Sequence, residues 1–271
     1  MSGFSYQEAI LEHYKQQATE HGLEPTSTML DQTTREMEVD AILSCVAYAR
    51  RQMNRPMSLL EIGCGNGYLL EKLRTRFPDV GLTGVDYSPD MVALAAQRSI
   101  ENCRVHRADI GALEFEDASI DFVASERCII NLLERDAQYK AINELHRVLK
   151  PGGLMILVES FTDGLENLNR ARNELGLPGN VVPHHNLWFD KTDFLATAGK
   201  VFDLVSNEEL TREGLSTSNF LSSHYFMSRV VYPSVSKGEV LYNSEFVKFF
   251  KFLPPIGNFS PIQLFVLRKS A

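Results

Sequence analysis

Apolar positions along this chain alternate between two rhythms. Short apolar runs closed by glycine, proline or acidic residues predict buried strands over 59–62, 80–86, 103–109, 119–126 and 154–160. Between them the apolar residues recur at helical spacing, as with Leu69, Leu70 and Leu73 after the first strand. Ahead of that strand, residues 5–21 predict a helix with Ile10, Leu11 and Tyr14 on one side and Gly22 as its stop. Residues 23–31 read as a loop. Thr33 with Glu36 forms a T-x-x-E capping box, and the helix behind it runs to about Arg51 on a stripe of Val39, Ile42, Leu43 and Val46. The fourth strand is followed by a loop over 127–135 and a helix that ends at Pro151-Gly152-Gly153.

After the fifth strand comes a long connection, helical between Gly164 and Leu175. A helix then begins at Asp190, with Asp193 in its first turn, and stops near Gly199. Residues 201–210 predict a sixth strand, and 261–269 a seventh that returns antiparallel along the sheet edge. In the intervening insertion, Phe246, Phe249, Phe250 and Leu253 form one stripe at i, i+3, i+4 and i+7. Lys248 and Lys251 flank that stripe; packing into the core is the expectation, with lipid contact as the rival. Residues 218–233 carry His224, Tyr225 and Arg229, expected to roof a substrate cavity. Alternating strands and helices make this an α/β chain with a doubly wound, seven-stranded, mostly parallel sheet. The expected division is an N-terminal helical lid or flank over 1–55, a core over 56–210 and 259–271, and a helical substrate-side insertion over 211–258.

Composition narrows the choices. A chain of 271 residues with 44% hydrophobic and 23% charged residues can bury its own core. Its net charge is −8, and acids outnumber bases over residues 1–135 while the two balance over 136–271. Phosphate backbones demand clustered Lys and Arg, so nucleic acid is not an expected partner. Cys45, Cys64, Cys103 and Cys128 are scattered with no C-x-x-C pair, which fits a reducing, cytoplasmic setting. The first residues lack the basic-then-apolar pattern of a signal peptide, and no apolar run approaches the length of a membrane span. A homodimer is compatible with all of this.

The chemistry concentrates at Glu61 to Gly67. A strand, then Gly63, Gly65 and Gly67 at alternate positions, then a helix start, lets backbone approach a ligand closely and offers free N–H groups. The dinucleotide spacing G-x-G-x-x-G does not fit, because Tyr68 or Leu70 stands where its third glycine belongs. Asp86 follows Gly65 by about 20 residues, where an α/β nucleotide fold places a carboxylate against ribose hydroxyls. Ser88, Pro89 and Asp90 then open a helix, and Tyr87 and Met91 are suited to lie against a purine. Gly63, Asp86, Asp109, Glu126 and Glu159 all fall at or just after strand carboxyl ends, the ligand edge of such sheets.

The pattern E-x-G-x-G-x-G over 61–67 and the run HRVLKPGG over 146–153 resemble class I S-adenosylmethionine-dependent methyltransferases. That resemblance implies a Rossmann-like methyltransferase fold and S-adenosyl-L-methionine as cofactor. It also implies that backbone at Gly63 and Gly65 passes under the methionine moiety while Glu61 organises the turn. Asp109, with Ile110, would meet the adenine, and Glu126 would close the same edge. Arg35 and Tyr14 could reach the cofactor from the helical lid; a solvated Arg and a packed Tyr are the alternative. Much of the chain also resembles the branch of these enzymes associated with cell-surface polysaccharide and lipopolysaccharide pathways, where a segment like W-H-N-L-Y-F follows the fifth strand. Here it reads His184-His185-Asn186-Leu187-Trp188-Phe189, with His184 in place of the Trp.

The expected reaction is O-methylation of a sugar, glycan or other small-molecule hydroxyl. An N, C or carboxyl acceptor is the alternative, and a non-methylating cofactor-binding protein is the third reading. A hydroxyl acceptor has a proton to lose, and His185 is the expected base, with His184 in reserve. Substrate contacts are expected from Glu159, Asn186, Trp188, His224 and Tyr225. A metal site built from His184, His185, Asp190 and Asp193 is rejected, because adjacent histidines point in different directions.

Overall fold

Strand order places the site before any side chain is considered. The computed structural model describes residues 6–27, 29–53, 55–236 and 242–270, with side chains from residue 10 onward. Residue 5, the expected first helical position, and residues 237–241 of the expected insertion lie outside the described residues. The sheet has seven strands: β1 (Ser58–Ile62), β2 (Gly81–Asp86), β3 (Cys103–Arg107), β4 (Ile120–Glu126), β5 (Leu149–Ser160), β6 (Phe202–Leu204) and β7 (Ile262–Lys269). They run in the order β3-β2-β1-β4-β5-β7-β6. β1 pairs in parallel with β2 on one side and β4 on the other, so the order reverses at β1. The crevice outside the carboxyl ends of β1 and β4 is where such a sheet holds ligands. β7 is antiparallel to both β5 and β6.

Both faces of the central strands are covered, which is why β1, β4 and β7 are largely apolar, whereas the edge strand β3 is polar and partly exposed. Leu59, Phe122 and Ile156 point to one layer, with Ile42 and Val46 of α2 (Gln32–Arg51) and Leu70 of α3 (Tyr68–Arg76). Leu60, Val123 and Leu157 point to the other, with Ile142 and Leu145 of a helix over Arg135–Val148. α1 (Tyr6–His21) precedes these, α4 (Pro89–Gln97) follows β2, and α5 is the Arg135–Val148 helix. α6 (Thr162–Glu174) and α7 (Lys191–Ala198) lie between β5 and β6. Beyond β6 come α8 (Asn207–Arg212), α9 (Ser222–Phe226), α10 (Tyr232–Val235) and α11 (Glu245–Phe249), with a π turn over Met227–Val231.

Several local expectations are corrected. α2 is capped by Asp31, whose side chain accepts the Thr34 N–H, while Thr33 is buried inside the helix. Asp and Thr are both good N-caps, and the residue with extended backbone wins. β5 begins at Leu149, so Pro151-Gly152-Gly153 lies within a strand whose register to β4 shifts between Ile120 and Phe122. β6 stops at Leu204, because Ser206 caps α8 by accepting the Glu209 N–H and takes the following residues into a helix. The aromatic stripe of the insertion is not core. Phe250 is buried, but Phe246, Phe249 and Leu253 are 56%, 66% and 38% exposed.

Candidate active site

The glycine turn is held by left-handed backbone. Gly63, Gly65 and Gly67 have φ of 63°, 52° and 78°, which a side chain would strain. At Gly63 an added Cβ would also lie 2.5 Å from Cys128 Sγ. The Cys64 N–H donates to the Val85 carbonyl at 3.0 Å, tying the turn to β2. Asp86 completes the lip: its Oδ2 accepts the Gly65 N–H and its Oδ1 the Ser88 N–H, both at 2.8 Å. Burial still raises this carboxyl above its ordinary range, against the pull of those N–H donors.

The cleft above this lip spans about 1060 Å³, the open solvent at its mouth included. Of the expected cofactor residues, Gly63, Gly65, Asp86, Tyr87, Asp109, Ile110, Glu126, Arg35 and Tyr14 line it. Three do not. Glu61 is buried, and burial with the nearby Glu126 charge pushes its carboxyl well up. Gly67 is the N-cap of α3, and Met91 is wholly buried in the first turn of α4. Arg35 is neither solvated nor remote: it is 6% exposed and pairs with Glu126 at 2.5 Å. Beside that pair, Arg127 meets Glu38 at 3.1 Å. Two arginines and two glutamates thus form a buried cluster at the cleft wall. Burial pushes the Glu38 carboxyl well above its usual range despite Arg127.

A second chamber, about 1120 Å³ with the open solvent at its mouth included, adjoins the first. Tyr14, Arg127 and Asn131 line both, so these three stand where the spaces meet. His185, the expected base, and Asn186, Trp188 and Tyr225, expected substrate contacts, line the second chamber. His185 stacks on His13 of α1, ring centroids 4.2 Å apart. Burial, then the proximity of His13 and His184, lowers His185 to about 4. Asn186 donates from Nδ2 to Asn131 Oδ1 at 2.9 Å.

Three expected residues fall elsewhere. His184 is exposed and outside the lining of either chamber. His224 is buried beside Asp31, 3.7 Å away, and packs the insertion onto the N-cap of α2. Glu159 is fully buried and accepts from Ser125 Oγ at 2.7 Å and from the Cys128 and Ile129 N–H groups at 2.9 Å. It fixes the loop after β4 instead of meeting substrate, and burial pushes its carboxyl up to about 6 against those donors. His13, Arg127 and Asn131 were missed. Only the two in the loop after β4 carried a signal, their place at the ligand edge. Among the described residues no group of three His, Cys, Asp or Glu side chains is placed to hold a metal.

Residues 59–153 match the family of methyltransferase domains. The chain is 36% identical over 106 residues to the malonyl-[acyl-carrier protein] O-methyltransferase of Dechloromonas aromatica, covering 38% of this chain and 36% of that protein. It is 34% identical over 108 residues to the demethylmenaquinone methyltransferase of Thermus thermophilus, covering 38% and 47%. The chain thus spans less than half the length of these relatives. Among solved structures, a TehB-like SAM-dependent methyltransferase from Corynebacterium glutamicum shares the fold, with TM-score 0.51 and 15% identity over 86% of this chain and 88% of that one. Residues 59–153, which carry the glycine turn, thus match a methyltransferase domain, and the sheet order is that of a Rossmann-like methyltransferase fold.

Proposed function

We propose that this chain is an S-adenosylmethionine-dependent O-methyltransferase acting on a small, polar, sugar-like acceptor. One observation carries the reading: a nucleoside-sized cleft and a polar chamber meet at Tyr14, Arg127 and Asn131. The residues of the cleft fit the cofactor. Left-handed glycines leave room for its methionine part, and each Asp86 oxygen keeps acceptor capacity for ribose hydroxyls beyond its one N–H bond. Bound there, the sulfonium would supply an electrophilic methyl group.

The chain's own residues would do the rest. Tyr14, Arg127 and Asn131 would align the acceptor oxygen with the methyl carbon, and positioning of this kind contributes much of the rate. Burial pushes the Tyr14 phenol up, so it stays a neutral donor. His185 would take the hydroxyl proton, since its lowered pKa keeps it neutral from about pH 4 upward. Amides, phenols and imidazoles in the wall suit a polyhydroxylated acceptor better than an apolar chain. His185, Asn186 and Trp188 belong to the segment that resembles the cell-surface polysaccharide branch, so a sugar of such a pathway is the acceptor we favour. The four free cysteines fit a reducing compartment.

A second reading is favoured by the same lowered pKa, which makes His185 a weak base. A carboxylate acceptor has no proton to lose, and transfer to its oxygen would give a methyl ester without any base. The test is incubation of purified protein with labelled S-adenosylmethionine and candidate acceptors, with mass spectrometry of the products. Transfer to a hydroxyl supports the first reading and an ester the second. Absence of any thermal shift with S-adenosylhomocysteine sinks both.

A further inference from the structure

We propose that the methyl acceptor carries an anionic group, a carboxylate or a phosphate, and that Arg229 and Arg127 form its subsite in the second chamber. This rests on the reading of that chamber as the acceptor site. Although the chain's net charge is −8, the described residues lining this chamber include Arg127 and Arg229 and no Asp or Glu. The two arginines are built in, not flexible surface groups. Arg229 is 8% exposed, with its guanidinium carbon 3.8 Å from the Tyr225 ring centroid and 4.7 Å from that of Tyr242. Both tyrosines also line the chamber. Nη2 of Arg229 bonds Asp31 at 2.5 Å and Nη1 bonds Ser228 Oγ at 2.8 Å, so the planar fork is fixed before any ligand arrives.

The acids behind these arginines offset only part of their charge. Asp31, held ionised and bonded to Arg229, the Thr34 N–H and the Thr34 hydroxyl, balances one cation. Arg172 lies close by, buried, and gives its protons to the backbone carbonyls of Pro178 and Arg229; it has no acidic partner among the described residues. At the other wall, Arg35 and Arg127 face Glu126 and Glu38, and burial favours the neutral form of Glu38. Among the described residues, cations therefore outnumber ionised acids around the chamber, in surroundings where a buried charge attracts its counter-ion more strongly than in water. His185 Nδ1, Trp188 Nε1 and Ser27 Oγ are buried without hydrogen-bond partners among the described residues. Such atoms ordinarily find a partner, and a polar ligand or ordered water would supply one.

Trp188 is the single tryptophan of the chain and lines the chamber, so it reports occupancy directly. The full chain, saturated with S-adenosylhomocysteine, is titrated with glucuronate, glucose 6-phosphate and glucose while Trp188 fluorescence is followed. At least one anionic sugar should bind about tenfold more tightly than glucose, as expected for charge-assisted bonds. Whichever anion is preferred distinguishes carboxylate from phosphate. In Arg229→Gln that preference should fall towards parity. If loss of the Asp31 partner prevents folding, the Asp31→Asn/Arg229→Gln double variant removes both charges and answers the same question. Equal binding of all three sugars, no response to either anion, or a preference unchanged in the folded variant overturns the proposal. Calorimetry with S-adenosylhomocysteine keeps the two readings apart: cofactor binding without anion preference sinks only the anionic subsite, whereas no cofactor binding sinks the methyltransferase reading as well.

Discussion

Asp86 accepts the backbone N–H of Gly65 across 2.8 Å, so the end of β2 and the turn after β1 form one lip. The bond holds a left-handed turn whose glycines have no side chains of their own, and the carboxylate lines the cleft. Asp86→Asn should therefore weaken binding of S-adenosylhomocysteine by roughly 10- to 100-fold, the effect of losing a charge-assisted pair of hydrogen bonds. Isothermal calorimetry on the folded variant checks this, and an unchanged Kd would remove Asp86 from the site.

Gly164 approaches the chain before β7 so closely that an added Cβ would lie 1.9 Å from the Ser260 carbonyl oxygen. That oxygen belongs to backbone, which cannot swing aside as a flexible side chain can. Gly164→Ala should cost roughly 3 kcal/mol or more, at the upper end for overpacking, read from urea denaturation. Gly176→Ala is the comparison, since open space surrounds that position and only its φ of 69° is strained.

Legibility in the sequence followed the range of the interactions. The glycine turn, Asp86, and Ser88 as N-cap are set by neighbours in the chain, and each stands where residue chemistry places it. His13 reaches the second chamber only through packing of α1, which no periodicity encodes, whereas Tyr225 and Arg229 of the insertion line it and His224 does not. Glu159 shows a further limit: an acid at a strand end reads alike whether it faces a ligand or caps the adjacent loop. The stripe of Phe246, Phe249 and Phe250 had helical period, but period fixes a shared side and not what that side faces.

Exposure separates those phenylalanines in a measurable way. Phe246→Ser and Phe249→Ser should each change stability by no more than about 0.5 kcal/mol, as for surface positions. Phe250→Ser, at 6% exposure, should cost about 3 kcal/mol or more. Urea melts of the three variants are the check; similar losses in all would place the whole stripe in the core.

His185 is neutral from about pH 4 upward, so its protonation should not shape the rate near 6.5. In a hydroxyl methylation the acidic limb of kcat due to this residue should lie near pH 4, and His185→Ala should lower kcat by about 10²- to 10⁴-fold with cofactor affinity retained. Transfer to a carboxylate should survive the substitution far better. Steady-state rates across pH for both proteins separate the two chemistries.

Burial raises Glu159 from 4.5 to about 6 in the folded protein. The folded state then holds a proton that the unfolded chain releases, so this group's contribution to stability falls as pH rises from 4.5 to 6 and levels off above. Glu159→Gln cannot ionise. Its stability relative to the parent should therefore improve across that interval and stay constant beyond it, by chemical denaturation at several pH values. A relative stability that stays flat from pH 4.5 to 6 would contradict the assigned shift.

The most direct measurement is a crystal structure of the protein with S-adenosylhomocysteine bound. The ribose hydroxyls should lie within hydrogen-bond distance of Asp86, the methionine part should run over Gly63 and Gly65, and the sulfur should face the junction at Tyr14, Arg127 and Asn131. Ligand density outside this cleft, or a sulfur turned away from the second chamber, would contradict the account.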